Sequence, residues 1–358
     1  MSRKILLNPG PATTTQNVKD ALVVDDICPR ENEFGQLMHN ICNGLLDIGK
    51  AKEDYNVALF GASGTGAMEA VLTSAIGKDD KVLILTNGAY GIRMKQICEN
   101  YGIAHNTLFE YGDFPAPAKV HEVLSSGDYS HLAFIHHETS TGMMDPIDEL
   151  IAVCKETNVV SIVDAMSTFG AYPYDLSELH VDYIFSSSNK CIHGMAGLSF
   201  VLFHNDKKDE LKKNGRSYYF DVYKQWENLK KKNQLRFTPP VQICYSFMTA
   251  IKETLKEGVE ARWERYKGNW QILYDGLNEM GFEPLLPVEQ ESKILLALKL
   301  EGKPDFNFDQ FHDYLYKRNI TIYPGVMPEM ETFRVAVIGD LQPEEMHYVI
   351  GEMKRYFD

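Results

Sequence analysis

The stretch Val159–Met166, VVSIVDAM, decides how the chain is read: apolar and β-branched residues run for the length of a strand and finish on one carboxylate. A buried parallel strand does not end on Asp without a partner, since an unpaired charge in a low-dielectric interior costs roughly several kcal/mol. Asp164 therefore meets a cation, or it escapes burial by capping the next helix or lying in a loop. Outward from it, strands at Val57–Phe60, Val82–Thr86, His131–His136, Ile184–Ser186 and Leu198–Phe203 alternate with helical patterns near Met68–Ile76, Gly91–Tyr101 and Ile147–Thr157. Strands separated by helical patterns of about 10–15 residues predict βαβ units, hence an α/β fold with a mostly parallel sheet flanked by helices. Ligands of such sheets sit at the carboxyl ends of the strands.

Farther along, one long helical pattern runs from Val241 through Trp263 and Tyr274 to Met280 and stops at Gly281. A strand (Lys293–Leu300), a helix (Phe308–Arg318), a strand near Thr332–Ile338 and a last helix (Pro343–Tyr356) follow, which predicts a smaller C-terminal α+β domain. The expected division is 1–15 as an N-terminal segment joining the small domain to the site, 16–250 as the large domain and 251–358 as the small one. The charge-dense segment Lys207–Lys232 reads as a solvated helix face or surface excursion.

The 358 residues hold 36 Lys plus Arg against 50 Asp plus Glu, a formal charge of -14 that argues against nucleic acid as a partner. It does not argue against a small anion, because a few arginines in a pocket outweigh a distant field. No stretch approaches the roughly 18–20 apolar residues of a membrane span, and MSRKILLNPGPATT lacks the h-region of a signal peptide, so a cytoplasmic location is expected. Six scattered cysteines without a CxxC pair predict reduced thiols and no structural zinc. His136, His137 and His193 lack metal-ligand spacing and read as hydrogen-bonding neighbours of the motifs around them, so no metal is expected. Tyr218, Tyr219, Phe220 and Tyr223 read as packing or as part of a dimer contact.

Two further features bear chemistry. In Ile184–Cys191, IFSSSNKC, Lys190 follows a strand and a small polar turn, a setting that desolvates an ammonium and lowers its pKa. Such a lysine serves as nucleophile and base; the alternative is an exposed loop lysine. In Gly61–Ala70, GASGTGAMEA, a Gly/Ser turn opens a helix and offers backbone amides to a phosphate. It matches neither GxGxxG nor the P-loop, and it suits one phosphate ester better than a dinucleotide. An acid, an amine and a monophosphate cradle at three strand ends are what a pyridoxal phosphate site requires: imine to the lysine, carboxylate on the ring nitrogen, cradle for the phosphate.

The chain resembles class V aminotransferases of pyridoxal phosphate fold type I, most nearly the 2-aminoethylphosphonate–pyruvate transaminases. The resemblance runs over essentially the whole length on NPGPATTT (Asn8–Thr15), FGASGTGAMEAVL (Phe60–Leu72), NGAYGIRM (Asn87–Met94), HHETSTGMMDPI (His136–Ile147), VDAMSTFG (Val163–Gly170), SSSNKCIHGMAGLSF (Ser186–Phe200), RFTPP (Arg236–Pro240) and FRVAVIG (Phe333–Gly339). It implies pyridoxal 5'-phosphate as cofactor and catalytic roles for Lys190, as the imine-forming lysine and proton carrier, and for Asp164, on the pyridinium nitrogen. It also implies that Ser63, Gly64 and Thr65 hold the phosphate, that Tyr90 stacks on the ring and that Thr139 lies near the phenolic oxygen. Thr238 would reach the phosphate of a neighbouring subunit, which implies a homodimer with shared sites, and Arg334 would clamp the substrate carboxylate.

The implied reaction moves the amino group of 2-aminoethylphosphonate to pyruvate, giving phosphonoacetaldehyde and L-alanine. A phosphonate has a third oxygen and more charge than a carboxylate, which predicts donors beyond Arg334; Thr13, Thr14 and Arg30 are the candidates. Pro29–Arg30–Glu31 departs from the Trp-Asp pattern of many relatives, so the contacts around Cys28–Phe34 need not be inherited. Within the fold the nearest alternative is a serine or alanine–glyoxylate type aminotransferase. A cysteine desulfurase is disfavoured because no Cys follows Cys244. A non-catalytic nucleotide-binding module would use Gly61–Gly66 but leave Asp164 and Lys190 without a purpose.

Overall fold

The computed structural model describes residues 3–51, 53–301, 306–325 and 331–357. Its central sheet has seven strands, in the order Tyr55–Phe60, Ser199–His204, Tyr183–Ser187, Val160–Asp164, His131–Ile135, Lys81–Leu85 and Ala104–Leu108. From Tyr183–Ser187 onward all pairings are parallel, whereas Ser199–His204 runs antiparallel to both neighbours, so the sheet is mostly parallel as its sequence predicts.

The strands read as continuous apolar runs because helices cover both faces. Within Val160–Asp164, Ile162 joins one core with Val71 and Met94, while its neighbour Val163 points the other way, into the core of Ile41 and Leu150. Each such side chain contributes about 1.5–3 kcal/mol by leaving water. A register slip of one residue would exchange every partner, so pairing is strongly specified. That register brings the carboxyl ends of Val160–Asp164 and Tyr183–Ser187, two parallel hydrogen-bonded neighbours, side by side at one end of the strands.

The predicted long helix after Val241 is instead two, Val241–Glu257 and Val259–Glu279. They break at Gly258, whose φ of +84° suits glycine and strains other residues. The apolar pattern continues through the break because each helix buries a face, Val241–Glu257 with Phe247 and Ile251, Val259–Glu279 with Tyr266 and Trp270. The second helix, together with Phe308–Tyr316 and Pro343–Phe357, packs on a three-stranded antiparallel sheet ordered Leu295–Lys299, Thr332–Ala336, Tyr323–Pro324. Ile5, Leu7 and Ala12 belong to this same core, and the short Ile5–Leu6 strand pairs in parallel with Ile320–Thr321. The charge-dense segment forms two helices, Lys208–Asn214 and Val222–Lys232. All six cysteines are free thiols, and among the described residues no helix is long and apolar enough to cross a membrane.

Candidate active site

Asp164 is the last residue of its strand and is buried. Its Oδ1 accepts from the Met166 amide at 2.7 Å. Lys190 lies in the turn just beyond Tyr183–Ser187, shaped by hydrogen bonds from His193 N to Lys190 O (2.9 Å) and from Gly194 N to Ser188 O (2.7 Å). Both side chains line one cavity of about 410 Å³, together with Ser63, Gly64, Thr65, Tyr90 and Thr139. Burial pushes the Asp164 carboxyl up to about 7, an effect the nearby Lys190 cation opposes. Burial likewise lowers the Lys190 amine to about 8, with Arg334 and Arg93 adding to the fall and Asp164 opposing it. The pair thus holds an acid short of positive charge and an amine close to releasing its proton.

The N-terminal loop reaches into this arrangement. Lys190 Nζ donates to the Pro9 carbonyl at 2.6 Å, and the Ala12 amide donates to Asn189 O at 2.9 Å. Gly10 has a φ of +138°, which strains other residues, and a Cβ there would lie 2.5 Å from Lys190 Nζ, so a side chain at residue 10 would displace the amine from this position.

The Gly64–Ala75 helix starts at Ser63, whose side chain makes no capping hydrogen bond. Its first-turn amides form a fixed positive end toward the cavity. Gly64 brings this turn close to Met166, which a Cβ would meet at 2.3 Å. Arg93 also lines the cavity; its Nη1 donates to Thr65 Oγ1 at 3.4 Å and its guanidinium stands 4.7 Å from the Tyr90 ring centroid.

Tyr90 sits in the first turn of Ala89–Tyr101, and that turn is held by Glu138. Glu138 is fully buried; its Oε2 accepts from the amides of Tyr90 (3.0 Å) and Gly91 (3.4 Å), and its Oε1 accepts from the amide (3.0 Å) and hydroxyl (2.5 Å) of Ser140. Ser140 Oγ in turn accepts from the Ala89 amide at 3.0 Å. Burial raises the Glu138 carboxyl, and these hydrogen bonds oppose the rise. A Cβ on Gly88 would lie 2.1 Å from Glu138 Cγ, so this glycine makes room for the carboxylate.

Arg334, on the Thr332–Ala336 strand, is buried and donates from Nη1 to Thr139 O (3.0 Å) and from Nε to Pro324 O (3.1 Å). It is absent from the cavity lining but is tied to Thr139, which is part of it. The other sequence candidates lie elsewhere in this chain. Thr13 Oγ1 accepts from the Leu6 amide at 3.1 Å, and buried Thr14 is likewise outside the lining. Arg30 is exposed; it donates to Leu235 O (2.8 Å), Gln234 Oε1 (3.2 Å) and Arg236 O (3.5 Å), which engages its guanidinium away from the cavity. Thr238 is exposed on the segment Arg30 holds, beside the stacked pair Tyr219–Phe237, and Tyr219 donates to Gly61 O at 3.2 Å.

The histidines divide. His136 bonds the Tyr174 hydroxyl and His193 Nε2 bonds the Tyr266 hydroxyl at 2.6 Å, both as hydrogen-bonding neighbours. His137 differs, since it lines the cavity itself. Glu138, Arg93 and His137 all fall within quoted motifs, yet sequence reasoning gave none of them a place in the site. The signal that singled out Asp164, a carboxylate in an apolar and small-residue setting, is present at Glu138 as well.

A family model described as aminotransferase class-V matches residues 16–335. A 2-aminoethylphosphonate–pyruvate transaminase of Lysinibacillus sphaericus is 37% identical over 360 residues, covering 99% of this chain and 98% of its own. One of Salmonella typhimurium is 38% identical over 343 residues, covering 94% and 93%. Among solved structures, alanine–glyoxylate aminotransferase of Nostoc sp. superposes with a TM-score of 0.92 at 23% identity over 100% of this chain and 96% of its own. Ureidoglycine–glyoxylate aminotransferase of Bacillus subtilis gives 0.90 at 21% over 99% and 93%. These superpositions establish the fold as pyridoxal phosphate fold type I. With the family model spanning most of its length, and relatives above a third identical from end to end, the chain belongs to the class-V aminotransferase family.

Proposed function

We propose that this aminotransferase moves the amino group of 2-aminoethylphosphonate to pyruvate, with pyridoxal 5'-phosphate as cofactor, yielding phosphonoacetaldehyde and L-alanine. One observation carries the reading: a buried acid and a buried amine from adjacent strand ends line one cavity whose wall includes a helix N-terminus. The donor set fits the cofactor. Asp164, pushed toward neutrality by burial, regains its charge against a protonated ring nitrogen, and Ser63, Gly64 and Thr65 present hydroxyls and amides suited to one phosphate. When bound, pyridoxal phosphate supplies an electron sink for the carbon that bears the amine.

The chain's own groups do the rest. Lys190 Nζ, a base of moderate strength in this setting, would take the proton from that carbon and deliver it to the cofactor carbon on the other side of the amine nitrogen. Asp164 holds the ring nitrogen protonated, and Tyr90, fixed through Glu138, covers the ring face. Arg334 offers a rigid fork to the carboxylate of pyruvate and to the phosphonate in alternate half-reactions. The exposed segment bearing Thr238 is suited to reach a second copy of the chain, so a homodimer with shared sites belongs to the proposal, as do a cytoplasmic location and a division into a large domain, 16–250, and a small one, 251–358. Arg30 is proposed as a brace for the Thr238 segment.

The test is alanine formation from pyruvate by the purified protein with 2-aminoethylphosphonate, serine or other amines as donor, and with glyoxylate as competing acceptor. Preference for the phosphonate donor supports the reading, and Arg334→Lys should then raise KM for both substrates. Preference for serine, or for glyoxylate with alanine as donor, overturns it.

A further inference from the structure

His137 is an imidazole that the proposed chemistry does not use. It is 2% exposed and lines the cavity beside Lys190 and Asp164. Its Nδ1 is within hydrogen-bond distance of the Ser167 hydroxyl at 2.9 Å, and that hydroxyl also donates to the His137 carbonyl at 3.2 Å. Ser167 thus fixes the ring from one side, while Nε2 is buried with no partner. Burial holds the imidazole neutral, with a value of about 3, and the Lys190 cation acts in the same direction. A neutral ring with one nitrogen engaged has a single polar group left, and buried polar groups in folded proteins are paired. A group left open on a cavity wall points to a ligand that completes it.

The sheet order says which part of the ligand. From one edge inward, the strand leading to the phosphate-binding turn comes first, the Lys190 strand third, the Asp164 strand fourth and the strand leading to His137 fifth. The ring nitrogen of pyridoxal phosphate and the carbon bearing its aldehyde are opposite each other. One edge between them carries the phosphate arm, and the other carries the methyl and the phenolic hydroxyl. With Asp164 at the nitrogen and Lys190 at the aldehyde, the phosphate turn and His137 fall on opposite edges. The only polar substituent on the edge away from the phosphate is the phenolic oxygen.

We propose that His137 is a cofactor-contacting residue whose Nε2 hydrogen-bonds the phenolic oxygen of bound pyridoxal phosphate. This rests on reading the cavity as the cofactor site and is independent of the amine substrate. The tautomer follows the ligand: Ser167 turns its hydroxyl hydrogen toward Nδ1 when Nε2 must donate, and toward the His137 carbonyl when Nε2 must accept.

The experiment compares dissociation constants of pyridoxal phosphate and its 3-O-methyl ether, measured by equilibrium dialysis on the full chain, for the parent, His137→Ala and His137→Asn. The parent should discriminate against the ether. Both variants should keep parental circular dichroism and lose about tenfold of that discrimination, the worth of one buried hydrogen bond. Asn keeps a polar side chain that is too short to reach, and so decides the matter if the alanine variant does not fold. Discrimination unchanged in the folded variants overturns the assignment of His137 alone, whereas a parent that binds neither compound overturns the cofactor site with it.

Discussion

Removing the Glu138 carboxylate tests whether the site is built around a second buried acid. In Glu138→Ala the amides of Tyr90, Gly91 and Ser140 and the Ser140 hydroxyl lose their acceptor together. Hydrogen bonds to a charged group contribute about 1.5–3 kcal/mol each. Part of that sum already offsets the cost of burying the charge, which is why the carboxyl is raised despite four donors. The net loss is therefore about 3–5 kcal/mol: three amides and a hydroxyl are left without an acceptor at about 1–3 kcal/mol each, less the relief of no longer burying a carboxylate. At about 2.1 cal/mol/K of unfolding entropy per residue, a chain of this length then melts roughly 4–7 °C lower. Glu138→Gln keeps the shape and one acceptor oxygen, and the Ser140 hydroxyl can turn to accept from the new amide, so the loss should be about 1–2 kcal/mol. Calorimetry of the cofactor-free protein separates the cases, and the alanine variant should also bind pyridoxal phosphate about tenfold more weakly because the turn under Tyr90 loosens. An alanine variant that melts within about 1 °C of the parent refutes the reasoning.

Two more outcomes follow from the amine and its loop. Because burial lowers Lys190 to about 8, its neutral fraction, and with it the rate of covalent attachment to pyridoxal phosphate, should rise about tenfold per pH unit from 6 to 7 and level off above about 8; stopped-flow absorbance would show a rise continuing past pH 10 if the amine were ordinary. Gly10→Ala, whose Cβ would come within 2.5 Å of Lys190 Nζ at a φ of +138°, should slow that attachment at least about tenfold with little loss of secondary structure, and parental loading kinetics would contradict the close approach.

Much of this was legible in the sequence because parallel strands covered on both faces leave unbroken apolar runs, and Asp164 and Lys190 interrupt or follow such runs. The edge strand Ala104–Leu108 was not, since it is largely solvated and its residues, AHNTL, carry no apolar pattern. Gly258 was missed for the opposite reason: the pattern was strong enough on both sides to hide the break. Helix Gly64–Ala75 begins four residues before the predicted Met68, because its opening Gly-Thr-Gly-Ala is chosen for close approach and carries no amphipathic signal. Around the cavity, residues that bring charge were easier to find than those that steady them. Arg30 shows the limit, as an arginine near the right motif whose guanidinium three acceptors of the 234–236 segment occupy.

The pairing of Ile5–Leu6 with Ile320–Thr321, and the grip of Pro9 on Lys190, give synthesis an order. Contacts that join positions so far apart close slowly and late. A ribosome will have released most of the large sheet, with the lysine already on its turn, well before residues 320–321 emerge to receive the opening strand. The amine therefore waits in an unfinished setting until residues 320–321 have emerged, and competence to hold the cofactor follows them.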